Sequence, residues 1–154
     1  MLRLRAGHTR TVHSHLCRAY PEEGCGVMLG RDSNGDREVV QVIGFDNVRE
    51  DSRTNRYLIA PEQFLAAERA ARDAGLDVIG FFHSHPDHPS RPSAFDLAHA
   101  WPWYSYLIVS VENGAPKDAH SWRLAEDRSR FEPEDLELAA PEVEPGPERK
   151  PQEP

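Results

Sequence analysis

The stretch "GLDVIGFFHSHPDHPSRPSAFD" constrains the fold more than any other part of the chain. Leu76–Phe82 is a nearly continuous apolar run of seven residues, with the length and composition of a buried strand. Such a strand needs helix or sheet packed on both of its faces. Just upstream, "PEQFLAAERAARDAG" opens on proline, carries helix formers throughout and closes on Gly75, which predicts a helix. After the proline-rich loop, "SAFDLAHAW" predicts a short helix. "CGVMLGRD" and "REVVQVIGF" read as strands joined through Asn34-Gly35, a strong hairpin-turn pair. "LRLR" alternates like an edge strand, "TRTVHSHLCRAY" has the spacing of a short amphipathic helix ended by Pro21, and "RYLIA" reads as a further strand. "YSYLIVSVE" and "DAHSWRLA" form a second hairpin around "NGAP". This order predicts an α/β (α+β) domain with a central mixed β-sheet flanked by helices.

Charge adds little until it is located. The formal net charge is −8, but from Glu132 onward eight acids face only Arg149 and Lys150, so residues 1–131 are close to neutral. No basic face is set up for nucleic acid. Residues 132–154 are acidic and rich in Pro and Glu, and read as a disordered, solvating tail behind a folded domain spanning 1–131. No apolar run approaches the roughly 18 residues of a membrane helix. No leader-like apolar segment follows "MLRLRAGHTR", and the two cysteines form no CxxC pair or disulfide framework. The expectation is a cytoplasmic protein with no membrane partner.

The tripeptide HSH occurs twice, as His13-Ser14-His15 and His83-Ser84-His85. In a helix, residues two apart face nearly opposite ways, so the first copy cannot converge on a metal. In a strand they project from the same side, and His83 and His85 end the apolar run. Only the second copy has the right backbone; the first reads as a partly exposed helix surface.

Two histidines need a third ligand, because a catalytic zinc takes three protein ligands and keeps one position open. Ser93-x-x-Asp96 after Pro92 has the form of a helix N-terminus, and its first turn can fold over the strand end. That makes Asp96 the favoured third ligand, with Asp87 and His88 as rivals that Pro86, Pro89 and Pro92 tend to hold away. Tyr57, Arg53, Arg56 and Trp101 read as surface or packing positions, with a substrate groove as the alternative. HExxH is absent, and so is the paired-cysteine signature of the zinc deaminases.

His83-x-His85-Pro86, six residues, then Ser93-x-x-Asp96 resembles the signature of the JAMM (MPN+) zinc metalloproteases, in their short stand-alone prokaryotic form. The likeness extends over about residues 8–125. It implies a JAMM/MPN core, related to that of the cytidine deaminases, with one Zn²⁺ per chain held by His83, His85 and Asp96. It also implies a glutamate followed by x-x-Gly at a strand start, which Glu23 satisfies through Gly26 and the adjacent Glu22 does not. In that family pattern Glu23 is the general base and Ser93 the donor to the carbonyl oxygen as charge develops on it.

The implied reaction is hydrolysis of the peptide or isopeptide bond after the C-terminal Gly-Gly of a ubiquitin-like or sulfur-carrier protein. The alternative is an MPN scaffold that has lost its metal and serves as a protein-binding module. The identity of the carrier, the leaving group and whether the chain pairs into a homodimer stay open at this level.

Overall fold

A computed structural model describes residues 1–140. In chain order the elements are β1 (Leu2–Leu4), α1 (Ala6–Ala19), β2 (Cys25–Ser33), β3 (Asp36–Phe45), α2 (Pro61–Asp73), β4 (Asp77–Pro86), α3 (Ala94–His99), β5 (Ser105–Glu112), β6 (Ala115–Leu124), β7 (Phe131–Glu134) and β8 (Leu136–Leu138). The strands form one eight-stranded mixed sheet in the order β7-β6-β5-β4-β2-β3-β1-β8. The apolar run thus becomes β4, in the middle of the sheet, antiparallel to β2 and parallel to β5. Asn34 and Gly35 both take positive φ (53° and 91°) in the β2–β3 turn, the backbone a two-residue hairpin of this kind requires.

The two end strands of the sheet are consecutive in the chain, with only Asp135 between them. The sheet therefore curls until its ends come together, and the Leu2 N–H extends the β1–β8 ladder onto the Asp135 carbonyl at 2.8 Å. Val12 and Leu16 of α1 pack with Leu2, Leu4, Met28, Val39, Ile79, Phe82 and Leu107 in one core. Ala67 and Ala71 of α2 cover Val27, Leu29 and Val78 in a second. Fully burying an aliphatic side chain of this size contributes about 1.5–3 kcal/mol, so β4, covered on both faces, is the mechanical centre of the domain. Arg37 is buried as well, its guanidinium held by Asp32, the Ile79 carbonyl and the Ser105 hydroxyl.

Three expectations change. "RYLIA" is not a strand: residues 56–60 run as irregular chain into α2, and the Leu58 N–H is satisfied by the Asn47 side chain rather than a ladder. "LRLR" is not an edge, because β8 pairs with β1 along its outer side. The expected boundary after residue 131 cuts through ordered chain, since Phe131–Glu134 pairs with β6 and Leu136–Leu138 with β1. Alternating Leu136 and Leu138 explain the latter: they pack against the first core despite the acidic neighbours. Residues 141–154, the remainder of the expected tail, lie outside the described residues. Among the described residues no helix is long and apolar enough to cross a membrane.

Candidate metal centre

The geometry at the end of β4 begins with a register shift. Between Met28 and Leu29 of β2 the pairing to β4 skips one residue, from Gly80 to Val78, leaving Ile79 as an extra residue. Beyond this bulge Phe81, His83 and His85 share one face, while Phe82 and Ser84 point to the other. His83 and His85 are 1% and 6% exposed. Their Nε2 atoms lie 3.2 Å apart, and Asp96 Oδ2 stands 3.4 Å from the first and 3.1 Å from the second. Among the described residues this is the one group of three His, Cys, Asp or Glu side chains so placed.

That triangle suits a cation. Tetrahedral donors at about 2.0–2.1 Å from zinc stand about 3.3–3.4 Å from each other, close to the three separations observed. His85 Nδ1 meets the Pro89 carbonyl at 2.7 Å, and a carbonyl can only accept, so Nδ1 carries the proton and Nε2 offers its lone pair. A lone pair, a second imidazole and a carboxylate facing inward repel each other unless a proton or metal cation lies among them. Burial opposes ionisation of Asp96, but His83, His85 and the Ser93 N–H hold its carboxyl well below the usual carboxylate range. Burial also pulls His85 down, yet the bonds to Asp96 and Pro89 leave its pKa raised. The field at this point favours positive charge.

Asp96 reaches the strand end because α3 starts with a reciprocal cap. Ser93 Oγ accepts the Asp96 N–H at 3.0 Å, and the Ser93 N–H donates to Asp96 Oδ2 at 2.9 Å. The cap and the ligand set are the same arrangement, not competitors. It also uses Ser93 Oγ as an acceptor, which leaves the hydroxyl proton available to a further group. The rival ligands are elsewhere: Asp87 accepts from Tyr20 Oη (2.6 Å) and the Asn113 N–H (2.9 Å), and His88 is exposed.

Glu23 arrives from the other neighbour of β4. Cys25 pairs with His83, so the two residues before Cys25 run alongside the strand tip. Glu23 is 3% exposed, and its Oε2 has no hydrogen-bond partner. Burial raises its pKa to about 7, with His83 and His85 working in the opposite direction. Glu22 is half-buried in the turn after α1, its N–H donating to the Ala19 carbonyl. Gly26, the glycine of E-x-x-G, has a steric reason: a Cβ there would lie 2.3 Å from both the Ile43 carbonyl oxygen and Phe82 Cζ.

Two residues that hold Glu23 in place escape the sequence reading. Ser84, the middle of HSH, accepts the Gly24 N–H at 2.8 Å, and its own N–H returns to the Gly24 carbonyl. Strand alternation alone directs Ser84 away from the histidines, and that was its one detectable signal. Asn47 donates to the Glu23 carbonyl at 3.1 Å, across an irregular loop that carries no pattern.

Next to the triangle opens a cavity of about 750 Å³ lined by Phe64, Phe81, Phe95, Trp101, Tyr104 and Tyr106, among others. Tyr57 and Trp101 are part of its wall, and Tyr57 stacks on His83 with ring centroids 4.6 Å apart. The Arg56 guanidinium lies over Phe95, whereas Arg53 is exposed. The first HSH stays apart from the site. His15 turns toward the sheet rather than to solvent, its Nε2 placed 2.9 Å from the Cys25 carbonyl and 3.0 Å from that of Phe45.

Comparisons with known proteins agree with this geometry. Residues 5–125 match the model of the prokaryotic homologs of the JAB domain. The chain is 40% identical to a desampylase of Haloferax volcanii over 103 residues, covering 66% of this chain and 70% of the relative. It is 30% identical to the CysO-cysteine peptidase of Mycobacterium tuberculosis over 134 residues, 86% of this chain and 89% of that one. The solution structure of DSY2949 from Desulfitobacterium hafniense superimposes with a TM-score of 0.79 at 33% identity, covering 94% of this chain and 96% of the other. AF2198 of Archaeoglobus fulgidus, a JAB1/MPN domain protein, shares the fold at a TM-score of 0.55 and 18% identity, over 90% of this chain and 97% of its own. The curled mixed sheet, the His-His-Asp triangle and the match across residues 5–125 carry one conclusion: the chain belongs to the prokaryotic JAB-domain family, with the JAB/MPN fold.

Proposed function

We propose that the protein is a zinc-dependent peptidase or isopeptidase that hydrolyses the bond after the C-terminal Gly-Gly of a ubiquitin-like or sulfur-carrier protein. The observation that carries this reading is the donor triangle, whose edges of 3.1–3.4 Å match a tetrahedral zinc with one position left over. In this reading His83, His85 and Asp96 hold one Zn²⁺ per chain. The ion supplies Lewis acidity, bringing the pKa of water toward about 7 and polarising the scissile carbonyl.

Glu23, buried beside the triangle with a free carboxylate oxygen, takes a proton from the attacking water and returns it to the departing amine. Ser93 donates its uncommitted hydroxyl proton to the carbonyl oxygen. In this reading a substrate chain seated in the aromatic cavity displaces water beside the reacting bond, which strengthens these charge interactions. An intact triangle also speaks against the metal-free scaffold, which has no use for three convergent donors.

The Gly-Gly substrate class is supported by the relatives, one named a desampylase and another a peptidase of CysO-cysteine. The free thiols of Cys17 and Cys25 suit a reducing compartment, the cytoplasm. The test is to incubate zinc-loaded protein with fusions of small Gly-Gly-ending carriers and weigh the products. Cleavage directly after Gly-Gly, abolished by a chelator and restored by zinc, is expected; intact fusions across a panel of carriers would overturn the substrate class.

A further inference from the structure

Three side chains of β6, two residues apart in turn, converge on a single serine of the loop that follows the histidines. Ser90 is 2% exposed. Its Oγ donates to Asp118 Oδ1 at 2.7 Å, and His120 Nδ1 lies 2.6 Å from the same oxygen. The serine has one proton and gives it to a carboxylate that can only accept, so His120 Nδ1–H must be the donor in the second bond. Trp122 Nε1 completes the set by donating to the Ser90 carbonyl at 3.1 Å. Asp118, His120 and Trp122 share one face of the strand by its two-residue period, so the ladder has one target.

Ser90 matters because of the peptide before it. The Pro89 carbonyl that orients His85 Nδ1 belongs to the same planar unit as the Ser90 nitrogen and Cα. Holding Ser90 by its hydroxyl and its carbonyl fixes that plane, and with it the direction from which His85 presents Nε2. The trio is not a hydrolytic triad, since the serine proton goes straight to the carboxylate and the hydroxyl is buried.

We propose that Asp118, His120 and Trp122, acting through Ser90, are positioning residues that set the aim of His85 and thereby the affinity of the metal site. The proposal rests on reading His85 as a metal ligand. Partners behind ligating histidines typically change metal affinity by about 10–100-fold when lost.

The experiment measures zinc affinity by chelator competition and the visible spectrum of the cobalt-substituted protein, for wild type, Ser90→Ala and Trp122→Phe. Ser110→Ala serves as comparison, because it frees the His88 carbonyl in the same loop without touching the Pro89–Ser90 peptide. Expected are a loss of about 10–100-fold in zinc affinity and shifted cobalt bands in Ser90→Ala and Trp122→Phe, with Ser110→Ala near wild type. If Ser90→Ala does not fold, Trp122→Phe, which keeps an aromatic ring against Leu124 and His120 while losing the hydrogen bond to the Ser90 carbonyl, decides alone. Wild-type affinity and spectra in both variants, or an equal loss in Ser110→Ala, overturns the proposal. Absence of zinc binding by the wild type would instead overturn the metal reading beneath it.

Discussion

Replacing Glu23 by glutamine should remove activity and add stability at once, because the carboxylate sits where the fold disfavours its charge. It is 3% exposed, and one oxygen has no partner. Burial moves its pKa from 4.5 to about 7. An unfolded chain releases this proton near the lower value and the folded chain near the higher one. Between them the folded state binds more protons, so its stability falls as pH rises. At 1.36 kcal/mol per unit, the buried charge costs about 1 kcal/mol at pH 5 and about 3 kcal/mol at pH 8. Glutamine has no proton to lose and escapes that penalty. In urea unfolding of the metal-free protein, the advantage of Glu23→Gln should therefore widen by roughly 2 kcal/mol from pH 5 to pH 8. The zinc-loaded variant should keep its metal and lose about 10²–10⁴ in turnover. Glu22→Gln should do neither. A stability gap that stays flat with pH would show that Glu23 ionises like an exposed carboxyl, and unchanged turnover would remove it from the reaction.

Asp96→Ala should abolish zinc binding by elemental analysis while Asp87→Ala leaves it intact; the opposite result would mean that the third ligand is wrongly assigned. Ser93→Ala should lower kcat by about 10²–10³ with metal retained, and cost about 1 kcal/mol through the lost cap in a denaturation curve. A fall in stability without a fall in kcat would leave Ser93 as a cap alone. Gly26→Ala should destabilise the fold by about 1–3 kcal/mol or more, since its Cβ would press on backbone and an aromatic edge. An unfolding midpoint equal to wild type would show that the strands can separate there at no cost.

Much of this protein is legible without coordinates because its signals are local. A seven-residue apolar run, an Asn-Gly pair and a proline-to-glycine helical segment each state their own conformation, and β4, the β2–β3 turn and α2 follow. Strand periodicity likewise separates the two HSH copies, and a cap signature four residues long brings Asp96 to the strand tip. "RYLIA" misleads for the same reason: its composition favours a strand, but no neighbour offers it a ladder. What needed the folded chain are contacts with no short-range mark. Glu23 is placed by β2 pairing with β4, some sixty residues later. Leu136 and Leu138 join the sheet only because it curls far enough for its ends to come together. The hold of β6 on Ser90 spans 28 to 32 residues and is visible only once the strand lies under the loop. Sequence carries periodicity and turn chemistry, which depend on neighbours a few bonds away; which distant group fills a buried donor or acceptor is settled by packing.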